Sequence, residues 1–448
     1  MRSSSDKHAS ETPTRRGTTF LGSAGRVALV ALALVMGLVI GAAVMLAVAS
    51  VAPLPPLFLS VGLVAYLAVA LGGVALAARS LALPRRGKTR RVGGSIVALV
   101  ALATGAALLA PLDDPRLSAA SVPGQQFWDL PTGSRVAYLR IPAAGTTRPT
   151  PVIFLHGGPG VPQMAADAPF FGQLAGDGYD VYLYDQIGAG LSARLADPAR
   201  YTLARAVDDL EAVRREIGAE RVILIGHSWG GTVAASYLAR FPAHVERVIF
   251  SSPGALYPPD WPGAGTGMLA RLTDAERRKV YATLAPPRAL LAYALVQVSP
   301  LAAHAYAGDA EMDARFDTLF ARVAPGLVCD SRALPPEPIH GLGFYANQVP
   351  QAAGSLPLTD PRPALRTLVT PVLVLKGACD YLPWGLTAEY RDVLPSATLV
   401  YLADAGHQAY EDEPGAYLAA VRAFLRDLPP PIPPYTNRDP PPDYIGTR

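Results

Sequence analysis

A short apolar segment that leads into a Gly-x-Ser-x-Gly motif constrains the fold of this chain more than any other feature. The segment covers residues 222–225 and the motif covers residues 226–230, with Ser228 at its centre. Glycine at both ends of the motif permits a sharp turn from a strand into a helix, where a Cβ atom would clash. Such a turn exposes the serine hydroxyl and strains the serine backbone. We therefore predict a nucleophilic Ser228 on a strand–turn–helix elbow; a glycine-rich turn with an incidental serine is the alternative.

Three long uncharged stretches precede this motif, at residues 27–52, 57–78 and 92–112. Each is at or above the roughly 20 residues that a helix needs to cross a hydrocarbon core of about 30 Å. We predict a membrane anchor of three transmembrane helices over residues 27–112, preceded by a basic tail over residues 1–26. The alternative for the first stretch is a cleaved signal peptide, because Ala47-Val48-Ala49 resembles a cleavage site.

The placement of basic residues predicts the orientation of this anchor. Six basic residues and no acidic residue lie between the second and third stretches, and five basic residues lie in the N-terminal tail. The positive-inside rule assigns both segments to the cytoplasm. The segment between the second and third stretches is therefore predicted to be a cytoplasmic loop. Three crossings then put everything after about residue 113 on the extracytoplasmic side. Cleavage after Ala49 would leave the same final orientation.

The net charge of +3 hides an asymmetry between the two parts of the chain. Residues 1–112 contain 11 Lys or Arg and 2 Asp or Glu, whereas the remainder is acidic overall. A basic anchor suits anionic membrane lipid, so lipid is a predicted partner of the N-terminal helices. The same distribution gives no support for nucleic-acid binding, and we predict none.

The chain contains two cysteines, Cys329 and Cys379, and both lie in the part predicted to be outside. An oxidising compartment permits a disulfide between them. Two separate buried thiols are equally compatible with the sequence. Their spacing matches neither a metal site nor a redox motif.

Short apolar segments alternate with helical ones after a linker over residues 113–124. Strands are predicted at residues 125–130, 134–141, 151–155, 179–184, 221–225, 245–250, 371–376 and 397–402, and the clearest helix is Leu203–Ile217. This alternation predicts a mostly parallel sheet covered by helices on both faces. The predicted organisation is a first part of the core over residues 125–252, a helical cap over 253–362, a second part of the core over 363–428 and a proline-rich tail over 429–448.

Two polar residues follow the last two predicted strands in an order that suits serine chemistry. A serine hydroxyl needs a base to remove its proton, and the base needs an acid to orient it. Asp380 follows the strand at 371–376, and His407 follows the strand at 397–402. The carboxyl ends of parallel strands meet at one sheet edge, so both residues are expected near Ser228. We predict a triad with His407 as the general base and Asp380 as its orienting acid; Asp404 is the rival acid.

A glycine-rich loop over residues 156–160 follows the strand at 151–155. Acyl transfer places negative charge on a carbonyl oxygen, and backbone N–H groups must already point at that position. One donor normally follows the nucleophile, which here is Trp229. The other is predicted at Gly158, with Gly157 as the alternative; a loop that merely turns tightly is the competing interpretation.

These motifs together resemble the proline iminopeptidase branch of the α/β-hydrolase superfamily, over about residues 125–428. The resemblance rests on His156-Gly157-Gly158-Pro159-Gly160, on Asp185-Gln186-Ile187-Gly188-Ala189-Gly190-Leu191-Ser192, on Gly226-His227-Ser228-Trp229-Gly230-Gly231, on Asp380 and on Gly406-His407. It implies an α/β-hydrolase fold with a helical cap, here preceded by three transmembrane helices. It also implies a serine aminopeptidase that releases N-terminal proline or another small apolar residue through an acyl-enzyme. In such enzymes cap carboxylates hold the α-ammonium group of the substrate.

The chain departs from the pattern of this family at two places. Ile187 stands where the family usually has arginine, and the cap lacks an alignable segment rich in tryptophan and glutamate. The possible ammonium partners in the cap are Glu276, Glu311, Asp313 and Glu337, each of which is also explained as an ordinary exposed charge. The residues that bind the substrate are therefore not assigned from the sequence.

Two other functions remain compatible with the sequence. A carboxylesterase or lipase acting on apolar esters would use the same triad, and the apolar cap favours it. A catalytically silent binding protein would retain only the fold. The sequence has no metal cluster, dinucleotide fingerprint or phosphate loop, so we predict no cofactor and no metal.

Overall fold

The chain divides into two units, which are residues 1–51 with 56–106 and residues 52–55 with 107–448. In this computed structural model the described residues are 23–79, 81, 83–330, 334, 338–352 and 359–446. The predicted basic tail over residues 1–26 therefore lies mostly outside the described residues. Each unit is built from a different kind of sequence.

Three long apolar helices account for the first unit, with α1 at Ser23–Val51, α2 at Pro55–Arg79 and α3 at Leu83–Leu109. All three are long and apolar enough to be candidate membrane spans. Glycines let α1 and α2 approach closely, as small residues do between membrane helices. A Cβ atom added at Gly41 would lie 3.0 Å from the carbonyl oxygen of Gly62.

The basic segment between the second and third spans is not the loop that the sequence predicts. Helix α3 begins at Leu83, so the basic residues at positions 85–91 lie on its first turns. Arginine and lysine are good helix formers, and their long side chains can reach polar surroundings from a helix end. The predicted third span also ends earlier, at Leu109, shortly before Pro111.

An eight-stranded sheet forms the centre of the second unit, in the order β1-β2-β4-β3-β5-β6-β7-β8. The strands are β1 Gln126–Asp129, β2 Arg135–Ile141, β3 Val152–Leu155, β4 Val181–Tyr184, β5 Val222–His227, β6 Val245–Ser251, β7 Val372–Gly377 and β8 Ala397–Leu402. Strands β3 to β8 are parallel, and β1 and β2 join antiparallel at one edge. Every residue of β3, β5 and β7 is buried, as expected for parallel strands covered on both faces.

Helices flank this sheet, as predicted. They are α4 Met164–Phe171, α5 Leu203–Ile217, α6 Trp229–Arg240, α13 Arg362–Leu365, α14 Trp384–Val393, α15 Ala409–Asp412 and α16 Pro414–Leu425. Helix α5 shows why the sequence forms such a helix. Thr202 caps its N-terminus by accepting a hydrogen bond from the backbone N–H of Arg205, and Gly218 ends it with a φ of 73°. The predicted mostly parallel sheet flanked by helices is thus confirmed.

Among the described residues between β6 and β7, six helices precede α13, and we call them the cap helices. They are α7 Gly267–Ala270, α8 Asp274–Leu284, α9 Pro287–Val298, α10 Pro300–Tyr306, α11 Asp309–Val323 and α12 Phe344–Gln351. Thr273 and Glu276 form a reciprocal capping box at the start of α8. Leu272, Val280 and Val323 pack together as a small core of their own. The cap helices therefore form one packed layer rather than a disconnected set.

The two cysteines form a disulfide between Cys329 and Cys379, with their Cα atoms 5.5 Å apart. Of the two alternatives left open by the sequence, the structure has the disulfide. Cys329 follows α11, and Cys379 follows β7 directly before Asp380. A covalent bond therefore joins the segment between cap helices α11 and α12 to the loop that contains the predicted catalytic acid.

The proline-rich C-terminal segment, residues 429–446, packs along the sheet edge. The backbone N–H of Tyr435 donates a hydrogen bond to the carbonyl oxygen of Leu399 on β8, at 2.7 Å. The indole N–H of Trp384 donates to the carbonyl oxygen of Arg438 at 2.9 Å. Tyr444 is only 2% exposed. This segment is thus laid on the core, and its last aromatic side chain belongs to the interior.

Candidate active site

Ser228 lies between β5 and α6 in a backbone conformation with φ 52° and ψ −119°. A side chain rarely adopts this region, so the surrounding structure must enforce it. Glycine is required on both sides, because a Cβ atom at Gly226 would lie 2.5 Å from the carbonyl oxygen of Gly230. A Cβ atom at Gly230 would lie 2.1 Å from the carbonyl oxygen of Leu155 on β3. The sharp turn expected from the motif is therefore present, with Ser228 at its apex.

Asp380 and His407 extend from neighbouring strand ends and contact each other. The distance between Asp380 Oδ1 and His407 Nδ1 is 2.8 Å, and both side chains are buried. The backbone N–H of Leu382 also donates to Asp380 Oδ1, at 3.0 Å. Burial would raise the pKa of the Asp380 carboxyl, but the charges of Lys376 and His407 outweigh burial and hold that pKa well below its usual range. This geometry suits an ionised carboxylate that orients an imidazole.

Ser228 and His407 line one cavity of about 400 Å³, together with Gly157 and Gly158. Tyr381, which the sequence analysis missed, also lines it. Burial raises the pKa of the Tyr381 phenol, and a hydrogen bond with the Ser228 side chain opposes that rise. The centres of the Tyr381 and His407 rings are 4.5 Å apart. Tyr381 is therefore in contact with both the serine and the histidine, and its position directly after Asp380 is the only sequence signal for it.

The glycine-rich loop after β3 faces the serine. A Cβ atom at Gly157 would lie 2.9 Å from Ser228 Cβ, and Gly158 has a φ of 114°. Both positions thus require glycine, one for close approach and one for its backbone conformation. The predicted oxyanion donors at Gly157, Gly158 and Trp229 are all within the loop and elbow that border Ser228. Their role as donors to a reacting oxygen stays a prediction.

A hydrogen-bond network connects the motif at residues 185–192 with the glycine-rich loop at residues 156–160 and with the elbow around Ser228. The backbone N–H of Gln186 donates to His156 Nε2 at 2.9 Å, and its side-chain amide donates to the His156 carbonyl oxygen at 2.9 Å. Trp229 Nε1 donates to Gln186 Oε1 at 3.2 Å. Burial lowers the pKa of His156 to about 4, so its ring stays neutral and can accept this hydrogen bond. Gln186 therefore links the glycine-rich loop to the elbow.

The carboxylates proposed from the cap sequence that fall within the described residues, Glu276, Glu311 and Asp313, do not line this cavity. Glu311 is paired with Arg288, and Asp313 is paired with Arg194 at 3.0 Å. Glu276 is used in its capping box, and Glu337 lies outside the described residues. The structure therefore does not bring Glu276, Glu311 and Asp313 together at the site.

Asp167 on α4, which the sequence analysis missed, is the one carboxylate among the described residues that line this cavity. It is 3% exposed, and Tyr410 donates a hydrogen bond to its Oδ1 atom at 3.0 Å. Burial raises the pKa of Asp167 to about 7, and the nearby Asp185 contributes to the rise. Burial and Asp167 raise the pKa of Glu411 to about 8. Asp167 thus lines the cavity with no Lys or Arg among the other described lining residues to neutralise its charge.

Apolar side chains of the cap helices also line this cavity, including Met268, Phe316 and Leu319. A second cavity of about 490 Å³ also borders Ser228 and is lined by Trp261 and several prolines. The serine thus lies between two spaces, one of which combines an acidic end with an apolar wall. This arrangement suits a substrate with a charged group close to a small apolar side chain.

Comparison with known proteins gives consistent matches. Residues 150–414 match the family described as alpha/beta hydrolase fold. The proline iminopeptidase of Heyndrickxia coagulans is 39% identical over 138 residues, which cover 29% of this chain and 43% of that protein. The proline iminopeptidase of Lactobacillus delbrueckii subsp. bulgaricus is 28% identical over 314 residues, which cover 66% of this chain and 96% of that protein. The crystal structure of a Mycobacterium smegmatis proline iminopeptidase is 21% identical, with a TM-score of 0.45, and covers 68% of this chain and 98% of that one.

Proposed function

The chain belongs to the α/β-hydrolase fold family, and from this premise we propose that it is a serine aminopeptidase. It would release N-terminal proline or another small apolar residue from short peptides. The observation that carries this proposal is the position of Asp167, a buried carboxylate in the cavity that Ser228 and His407 also line. A free α-ammonium group is the part of a peptide substrate that such a carboxylate would bind.

The proposed reaction begins when His407 removes the proton of the Ser228 hydroxyl, and Ser228 Oγ attacks the substrate carbonyl. The backbone N–H groups of Trp229 and of Gly158 stabilise the resulting oxyanion, with Gly157 as the alternative donor. His407 then gives its proton to the departing amine, which leaves an acyl-enzyme on Ser228. Water then attacks the acyl carbonyl while His407 takes its proton, and His407 gives that proton to Ser228 Oγ as the acyl–oxygen bond breaks and the acid product leaves. Asp380 keeps the imidazole in the required tautomer throughout; the 2.8 Å contact between Asp380 and His407 supports this role.

Replacing Asp167 by asparagine is expected to lower kcat/KM for prolyl and alanyl arylamides about 100-fold, because a charge-assisted hydrogen bond contributes roughly 1.5–3 kcal/mol. Hydrolysis of an uncharged short-chain aryl ester should change less than about 2-fold, since it has no ammonium group to bind. Steady-state kinetics of both substrates measures the difference. Glu276→Gln, which neutralises a partly exposed carboxylate of the cap helices away from this cavity, is the matched control and should leave both rates unchanged. Equal losses on both substrates would contradict the assignment.

The relative rates of hydrolysis of these two substrates should also depend on pH. Ammonium binding requires the ionised carboxylate, and the pKa of Asp167 is about 7. The ratio of arylamide to ester hydrolysis should therefore fall as the pH drops below about 7. It should also fall above about 8, where a free α-amino group loses its proton. In Asp167→Asn the fall on the acid side should disappear.

Ester hydrolysis is the second candidate function, because the wall formed by Met268, Phe316 and Leu319 is apolar. An arylamide with a blocked amino group separates the two candidates. An aminopeptidase that uses Asp167 should reject the blocked substrate. Serine-dependent cleavage of the aryl ester alone, with no cleavage of free-amine arylamides, would replace the aminopeptidase by a carboxylesterase.

We also propose that the three apolar helices cross a membrane and that the catalytic part lies on the extracytoplasmic side. The basic residues near these helices and the disulfide between Cys329 and Cys379 support this location. In cells whose thiols are blocked at harvest, both cysteines should resist alkylation until a reductant is added. Quantitative alkylation without reductant would place this part of the chain in a reducing compartment.

A further inference from the structure

A lysine is completely buried beside the predicted catalytic acid. Lys376 lies on β7 four residues before Asp380, and its side chain is 0% exposed. Its Nζ atom donates to Asp380 Oδ2 at 2.8 Å and to the carbonyl oxygen of Leu382 at 2.9 Å. Each carboxylate oxygen of Asp380 thus contacts a different basic side chain. Oδ1 contacts His407, and Oδ2 contacts Lys376.

The C-terminal segment closes this ion pair off from solvent. The Tyr444 hydroxyl donates to the carbonyl oxygen of Leu382 at 3.0 Å and lies 3.3 Å from that of Asp380. The Tyr444 ring centre is 5.9 Å from Lys376 Nζ. A Cβ atom at Gly446 would lie 2.1 Å from the Asp380 carbonyl oxygen, so the C-terminal segment packs directly on the loop that contains Asp380. The charges of Lys376 and Asp380 therefore interact with little screening by water.

Orientation of Asp380 does not by itself require a lysine. Oδ1 already accepts hydrogen bonds from Leu382 N–H and faces His407 Nδ1. Burial lowers the pKa of Lys376, and the charge of Asp380 opposes that fall. Burying an ion pair is costly, and replacing one by apolar residues is often neutral or stabilising. We therefore expect Lys376 to have an effect beyond orienting the Asp380 carboxylate.

We propose that Lys376 is a positioning residue that acts through Asp380 to set the basicity of His407, an inference that rests on the proposed serine mechanism. A cation on Oδ2 partly neutralises the carboxylate, so the carboxylate stabilises a protonated His407 less strongly. The imidazole then stays neutral, and able to accept the Ser228 proton, at a lower pH than an uncompensated Asp380 would allow.

Other titratable groups face these three residues and act on the same equilibrium. The His227 ring centre is 4.9 Å from that of His407, and Tyr381 lies on the other side. Arg271 interacts electrostatically with Asp380 and with Asp412. These groups are the same in every variant compared below, so a difference between variants reports on position 376.

The test uses the full-length protein in detergent and measures how fast a fluorophosphonate labels Ser228 between pH 4 and 9. Lys376→Gln removes the charge but keeps hydrogen-bond donors for Asp380 and Leu382. The midpoint of the acid limb should rise by about one pH unit, with labelling about 10-fold slower below that midpoint and within a few-fold of the wild-type rate above it. Lys376→Met should shift the midpoint in the same direction. Lys279→Gln, at an exposed position on α8, is the matched control and should keep the wild-type midpoint.

A midpoint that stays unchanged in both neutral variants would overturn the proposal, because a merely structural role would lower the rate at every pH alike. If neither neutral variant folds, Lys376→Arg decides: retention of the wild-type midpoint supports the proposal, and a shifted midpoint overturns it. Labelling needs no peptide substrate. A protein that is labelled but cleaves no arylamide therefore fails as an aminopeptidase while the inference about Lys376 stands, whereas an unlabelled wild-type protein removes both.

Discussion

Replacing Ser228 by alanine is expected to lower kcat for free-amine arylamides about 10⁶-fold, the loss found when a serine nucleophile of this kind is removed. The reason is that no other hydroxyl occupies the apex of the turn between β5 and α6. Steady-state hydrolysis of prolyl and alanyl arylamides measures the effect, and fluorophosphonate labelling should be lost in parallel.

Ser252→Ala is a close control for that variant. Ser252 is also buried, also has a positive φ, of 42°, and its hydroxyl has no hydrogen-bond partner within the part of the chain that the structure describes. Its replacement should leave kcat within about 2-fold. Retention of more than about one-hundredth of the activity in Ser228→Ala would show that another group is the nucleophile.

Replacing Asp380 by asparagine should lower kcat about 10⁴-fold, because an amide favours the wrong imidazole tautomer. The variant should also lose stability, by about 3 kcal/mol, because Lys376 is then a buried charge without its partner. Kinetics and thermal unfolding measure the two losses separately. Asp404→Asn, at the exposed rival acid, should change neither.

The double variant Lys376→Met with Asp380→Asn separates these two effects. Removing the lysine as well relieves the unpaired charge, so much of the lost stability should return while kcat remains low. Recovery of activity together with stability would mean that Asp380 acts only through the fold. Wild-type activity in Asp380→Asn alone would remove Asp380 from the mechanism.

The sheet was predictable because strands buried on both faces are continuous apolar segments. Residues 222–225 and 371–376 are of this kind, and both correspond to central strands. The helix Leu203–Ile217 was also predictable, since apolar residues recur along one face and a cap residue precedes it. The predicted resemblance to the proline iminopeptidase branch is confirmed by the family match and the similarity to curated proline iminopeptidases.

The charged residues around the site were less accessible to sequence reasoning. Lys376 is the fifth residue of an otherwise apolar strand, so the sequence suggests only that the strand ends there. Its pairing with Asp380 depends on the conformation of the loop that follows the strand. Asp167 lies on a short helix of ordinary composition, and only the packing of Tyr410 and the cavity gives it significance. Charge burial is decided by residues that are distant in sequence. Ser228, Asp380 and His407 were found because strand order alone brings their positions to one edge, and their catalytic roles stay predictions.

The cap helices leave and rejoin the core at neighbouring strands. Ser251 at the end of β6 is in register with Leu375 and Val248 with Val372, so in this parallel pair the intervening segment leaves at the carboxyl end of β6 and returns at the amino end of β7. An insertion that lies between two strands can be lengthened, shortened or exchanged by recombination without altering the sheet register. The apolar part of the cavity wall that the cap helices contribute can therefore change while the strand ends that carry the predicted triad stay as they are. The disulfide limits this freedom, because a transplanted segment must bring its own partner for Cys379.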